Sequence, residues 1–283
     1  MAGKLPKWLI ATAAAVYFFL HAPLMVLVLF SFNNSKFSAG WEGFTVQWYQ
    51  RLLERRDILD SLWVSVEVGV VSTIVSTLLG TLLALGLARH RFSGRTFLES
   101  LLYVPIVTPE IVCGISLLIF FTAASKWAGS GNELLASAGL PALLPVLAPG
   151  LLTIIIAHVA FNISFVVVVV RSRLEGMDRN LEEAAMILGA DEFTAFWKVT
   201  VPQLWPGILS GALLAFTMSF DDFVITSLVT GPGSSTLPIV VYTMVRKNVE
   251  PSINAISTII LVVTAVLIYA SDRLSQDKPL TPT

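Results

Sequence analysis

The stretch PGLLTIIIAHVAFNISFVVVVV, Pro149 to Val170, contains no Asp, Glu, Lys or Arg. As a helix it rises about 33 Å, enough to cross a hydrocarbon core of roughly 30 Å. A helix also satisfies its own backbone hydrogen bonds, which lipid cannot do. Working outward in both directions, similar runs lie at about 8–32, 62–88, 101–123, 205–229 and 253–271, so six spans are expected. Composition agrees with this reading. The 283 residues are 55% hydrophobic and only 13% charged, about half the charge of a soluble domain, and the mean hydropathy is +0.79. The chain reads as an all-α integral membrane protein forming one transmembrane domain over 1–283, without a soluble domain or an internal repeat.

Several function classes fall away. A net charge of -1 gives no bias toward nucleic acid. Cys113 lies in an apolar run and reads as a small apolar residue. His21, His90 and His158 are far apart and lack HExxH spacing, so no metal site is expected. Neither GxSxG nor HExxH occurs, which argues against an enzyme. The N-terminal run follows Lys4 and Lys7 and outlasts a signal-peptide core, so it reads as an uncleaved first span. Pro23, Pro105, Pro109 and Pro206 predict kinks. Gly207 and Gly211 form a GxxxG, read as close helix packing.

Loop charge gives an orientation. Lys4, Lys7, Arg89, Arg91, Arg95, Arg171, Arg173, Arg179, Lys198, Arg273 and Lys278 fall on one side, eleven of the 18 Lys and Arg. Lys36, Arg51, Arg55, Arg56, Lys126, Arg246 and Lys247 fall on the other. Both termini are therefore expected to be cytoplasmic. The first outer loop carries Trp41, Phe44, Trp48 and Tyr49, an interfacial aromatic belt or a short surface helix.

Residues 171–203 form the longest inward loop. Asn180 with Glu183 has the form of a capping box. Glu182 and Glu183 suit the positive end of a helix dipole, and Gly189 is a natural stop. A slim helix over Leu181 to Leu188 follows, with Leu181, Ala185 and Leu188 on one face. Asp191 is expected to cap a second short helix that ends at Pro202. The first helix suits either a partner's groove or the lipid surface.

The same residues carry a resemblance. Glu183-Ala184-Ala185, Gly189, and Val199-x-Val201-Pro202 resemble the EAA loop of ABC importer permeases, with valines where that family has isoleucine and leucine. The resemblance implies a type I ABC importer permease fold and a coupling helix seated in a cytoplasmic ATPase dimer, with Glu183, Ala184, Ala185 and Gly189 at the contact. No Walker A sequence is present. MgATP is thus expected on the partner ATPase, and no cofactor on this chain.

Acids within the spans need a reason, because charge in a bilayer is costly. Glu110 lies roughly 15 Å into span three and Asp221, followed by Asp222, roughly 22 Å along span five, at about 1.5 Å per residue. No basic residue is expected inside a span to neutralise them. Protonation, or hydrogen bonding at a helix end, would explain them structurally; a route for a cation would explain them functionally. Ser219 to Pro238, with Asp221-Asp222, Gly231-Pro232-Gly233 and Leu237-Pro238, resembles the spermidine/putrescine importer permeases. So do Ser31-Phe32-Asn33-Asn34-Ser35, Phe44-Thr45-x-x-Trp48-Tyr49 and Asn254-Ala255. That resemblance implies an inner-membrane permease for polyamines, with Trp48, Glu110, Ser219, Asp221 and Asp222 along the substrate pathway. It also implies a second, homologous permease and a periplasmic polyamine-binding protein as partners. A permease for another small solute, or a secondary cation transporter using the acids as a relay, remains open.

Overall fold

A computed structural model describes residues 6–35, 40–143, 146–178, 180–247 and 251–275. Lys4, Lys36, Arg179 and Lys278 of the loop-charge pattern lie outside the described residues. Among the described residues the regular structure is helical, apart from one isolated bridge between Asn33 and Phe44. The order is α1 (Lys7–Phe30), α2 (Gln47–Glu54), α3 (Arg56–Arg89), α4 (Arg95–Val107), α5 (Glu110–Ser137), α6 (Leu151–Glu175), α7 (Asn180–Ile187), α8 (Glu192–Ala195), a π turn (Phe196–Thr200), α9 (Val201–Phe220), α10 (Val224–Val229), α11 (Leu237–Lys247) and α12 (Pro251–Ser275). Six helical stretches are long and apolar enough to cross a membrane.

Three of the expected boundaries differ, each for a reason in the backbone. The third span does not merely kink. Thr108, held extended at φ -78 and ψ 136 by the proline that follows, ends α4, and Pro109 opens α5 as its N-cap. The apolar run 101–123 therefore belongs to two helices, and Glu110 is the first residue of the spanning one. The second short helix of the loop does not stop at Pro202. Pro202 has no N–H to donate and crowds the carbonyl four residues back. The π turn over Phe196–Thr200 takes up that misfit, so the chain stays helical from Glu192 to Phe220. The fifth span, expected to reach 229, instead breaks at 221–223 and resumes as α10.

The chain packs as two compact units, Met1–Leu59 with Val240–Val263 and Asp60–Ile239 with Thr264–Thr283. In the first, no residue of α1 is buried. The aromatic loop that follows is pinned by Asn33. Its amide oxygen accepts from the Glu42 N–H at 2.8 Å, its amide nitrogen donates to the Gly40 carbonyl, and its own carbonyl accepts from the Trp48 indole at 2.7 Å. Phe32 stacks on Phe44 at 5.4 Å between ring centroids, and Trp48 is carried by the short helix α2.

In the second unit α6 and α9 pack along much of their length, and glycine sets the spacing. Gly211 faces Val166 and Gly207 faces the stem of Arg173, so the GxxxG serves packing. Gly80 of α3 meets Val166 from another side. One apolar cluster joins Ala84, Leu87, Val166, Val170 and Ala215; another joins Val68, Phe121, Ile154, Ala157, Ile225 and Val229.

Candidate functional site

Helix α9 ends at Phe220, and Asp221 forms its C-cap with φ -99 and ψ 1. The two consecutive aspartates then part company. Asp221 is exposed. Asp222 turns back toward α10, where its carboxylate accepts from the Thr226 N–H at 2.7 Å, the Thr226 hydroxyl at 2.6 Å and the Ile225 N–H at 3.3 Å. Only 10% of its side chain is exposed.

His158, on α6 and 2% exposed, completes this cluster. Its Nε2 lies 3.3 Å from Asp222 Oδ2 and 2.9 Å from Thr226 Oγ1, and its Nδ1 lies 2.5 Å from Ser219 Oγ. Ser219 in turn meets Ser72 of α3 at 2.9 Å, and the Ser72 hydroxyl lies 2.6 Å from the Val68 carbonyl. Each hydroxyl has one hydrogen to give. Ser72 gives its hydrogen to Val68, Ser219 to Ser72, and Thr226 to Asp222. Both ring nitrogens of His158 are engaged in this cluster, Nδ1 toward Ser219 and Nε2 toward Thr226 and Asp222. Hydrogen bonding at a helix end accounts for how Asp222 is held.

The other acid of the pair has a different setting. Asp221 lines a cavity of about 420 Å³ together with Glu110, and Ser219, Asp222, Phe161 and Asn162 share its wall. Glu110 is exposed there at the start of α5. Four of the five expected pathway residues therefore come together. Trp48 belongs to the other compact unit, where it is 4% exposed, donates to Asn33 and lies under the Arg51 guanidinium at 4.8 Å. The sequence reading passed over His158 and Asn162 as members of the site. Their one local signal is a pair of polar residues four apart in an otherwise apolar helix. It also passed over Glu67, an exposed acid on α3.

The loop between α6 and α9 forms the expected helix. The Asp178 carboxylate accepts from the Asn180 N–H at 3.0 Å, so the observed side-chain cap lies upstream of the expected Asn180. Gly189 ends the helix with φ +96, a left-handed position that favours glycine. Around it Gly189 N–H reaches the Met186 carbonyl and Ala190 N–H the Ala185 carbonyl, both at 3.0 Å. Glu183, Ala184 and Gly189 are exposed. Ile187 and Leu188, 86% and 88% exposed, make an apolar tip, with exposed Phe193 just beyond. Arg89 at the end of α3 braces the loop, meeting Glu182 at 2.7 Å and the Phe196 ring at 5.5 Å.

Residues 76–277 match the family described as "Binding-protein-dependent transport system inner membrane component". The spermidine/putrescine transport system permease protein PotC of Escherichia coli (strain K12) is 37% identical over 264 residues, 93% of this chain and 92% of that protein. The putrescine transport system permease protein PotI of the same strain is 39% identical over 255 residues, 90% of this chain and 85% of that protein. Among solved structures, a chain of a bacterial ABC transporter involved in the import of the acidic polysaccharide alginate superposes with a TM-score of 0.72. Its identity is 16%, and the match covers 98% of this chain and 97% of that one, a likeness of fold.

Proposed function

The chain belongs to the family of binding-protein-dependent transport system inner-membrane components, and on that premise we propose that it moves polyamines of the putrescine and spermidine type into the cytoplasm. It is a multi-pass inner-membrane permease subunit of an ABC importer, and a transporter component, not an enzyme. The observation that carries the choice of substrate is the meeting of Glu110 and Asp221 on one cavity. A polyamine brings ammonium groups on a flexible apolar chain. Two exposed carboxylates with Phe161 beside them offer charge for the ammonium and an apolar face for the methylenes. The polyamine relatives support the same reading. Asp222 and Ser219 contribute by holding the wall from behind, and Trp48 through the loop that it anchors.

In this proposal both termini face the cytoplasm. The loop presents Glu183, Ala184, Ala185 and Gly189, with the apolar tip of Ile187 and Leu188, to an ATPase dimer that binds the MgATP. A second permease completes the pathway, and a periplasmic polyamine-binding protein delivers the cargo. The test is reconstitution of the whole complex in liposomes, with ATPase activity and uptake measured against a panel of amines and unrelated solutes. Stimulation by putrescine or spermidine is the expected result. Stimulation only by a solute without an ammonium group would discard the polyamine reading and leave the permease assignment standing.

A further inference from the structure

Asn162 lies one turn beyond His158 on α6 and lines the cavity that holds Glu110 and Asp221. It is 1% exposed. Its amide nitrogen donates to the Ala215 carbonyl of α9 at 3.3 Å, which fixes which end of the amide is the donor. The opposite end, Oδ1, is buried and has no hydrogen-bond partner. The neighbouring buried groups of the wall are different. Ser219, His158, Thr226 and Asp222 satisfy one another. Buried acceptors are almost always paired, so an orphan in the wall of a carboxylate-bearing cavity points to a donor that arrives with the ligand.

Resting on the polyamine reading above, we propose that Asn162 is a substrate-reading residue whose Oδ1 accepts an N–H from an ammonium group as Glu110 and Asp221 balance its charge. The two kinds of group ask different questions of a cation. A carboxylate responds to charge, whereas a neutral carbonyl oxygen at a fixed place responds to an N–H donor. A quaternary ammonium meets the first condition and fails the second. Asn162 thereby adds a donor requirement to a site that the acids alone would leave open to any small cation.

The experiment uses the complete importer in liposomes, with radiolabelled putrescine as the probe. Asn162→Leu removes both donor and acceptor at similar volume. Asn162→Asp keeps an acceptor, loses the bond to Ala215 and adds a carboxylate's charge. The readout is putrescine imported per ATP hydrolysed, which damage to packing between α6 and α9 would not move in this pattern. Asn162→Leu is expected to lose at least about tenfold, and Asn162→Asp to stay within about threefold of the native complex. Equal transport per ATP by Asn162→Leu, or an Asn162→Asp variant as poor as the Leu one, would overturn the proposal. If Asn162→Leu does not assemble, Asn162→Ala takes its place under the same two outcomes. Failure of the polyamine reading is visible separately, as a native complex that imports no putrescine.

Discussion

Asp222 Oδ2 sits 3.3 Å from His158 Nε2, across the gap between α6 and the break that follows α9. This pairing divides two adjacent aspartates into a wall component and a cavity component. Asp221→Asn is expected to reduce polyamine uptake at least tenfold, with the complex assembling normally. Asp222→Asn is expected to lower stability instead, by about 1–3 kcal/mol, the order seen when buried hydrogen-bond partners are left unsatisfied. Uptake and thermal unfolding of the two single variants check this. The division is wrong if Asp222→Asn melts like the native complex.

Removing both partners costs less than the sum of the parts. His158→Leu removes the ring that faces Asp222, and Asp222→Asn removes the carboxylate that faces the ring. Groups in direct contact couple by about 0.5–3 kcal/mol. The double variant His158→Leu with Asp222→Asn is therefore expected to be more stable than additivity allows, measured by a thermal-unfolding cycle over the four proteins. Strict additivity would show that the pair is not coupled.

The tip of the loop makes a separate prediction. Ile187 and Leu188 are almost fully exposed, a cost in water that a partner's groove would offset. Ile187→Asp with Leu188→Asp is expected to abolish stimulation of ATP hydrolysis by loaded binding protein and to weaken copurification of the ATPase. The monomer fold should hold, because neither side chain is buried. Full stimulation in that variant would place the ATPase contact elsewhere.

Two glycines on α3 should respond in opposite directions. A Cβ at Gly80 would lie 2.7 Å from Val166 Cγ1 and 3.2 Å from the Ile163 carbonyl, whereas a Cβ at Gly86 meets nothing within 4 Å. Gly80→Ala is expected to destabilise by about 1–3 kcal/mol through overpacking. Gly86→Ala is expected to stabilise by about 0.5–1 kcal/mol through backbone entropy. Melting temperatures decide, and a stabilising Gly80→Ala would contradict the close approach of α3 to α6.

Glu99 supplies a pH dependence. Arg95 at 3.2 Å, and Arg171 at 3.0 Å, hold its carboxyl below its ordinary value of 4.5. A lowered carboxyl stabilises the fold above the unfolded value and loses that effect as pH falls through the lowered one. The melting-temperature gap between native protein and Glu99→Gln should thus be present above the ordinary carboxylate range and close as pH falls below it. A gap that persists in acid would mean that the charge pairing is not its source.

What was legible in the sequence follows physical range. Six apolar runs are local, and lipid enforces them, so their number was readable, whereas the third and fifth lie at Glu110–Ser137 and Glu192–Phe220 and not at the expected 101–123 and 205–229. Breaks were harder. The run through Pro109 stays apolar on both sides, so hydropathy joined two helices that the backbone separates. The run through Asp221 continued in the same way, although here two acids marked the place. Of the expected pathway set, Glu110, Asp221 and Asp222 stood out because acids in an apolar run are conspicuous, and Ser219 was named only through the family resemblance. His158 was not, since its partners Ser219 and Thr226 lie 61 and 68 residues away. An isolated histidine in an apolar run announces nothing until the fold brings it a neighbour. The orphan oxygen of Asn162 is likewise a property of packing, not of spacing.

The π turn has a mechanical consequence. Because it carries the chain past Pro202 without a break, Glu192–Phe220 is one rod of 29 residues, about 44 Å at 1.5 Å per residue. Its two ends are the places where the chemistry sits. Phe193 is at the exposed loop, and Ser219, hydrogen-bonded to His158, is in the cavity wall. In the proposed importer, a push on the loop would pass along this continuous helix toward the wall that carries Asp221. The π turn and Pro206 are the two places along its length where that helix can bend.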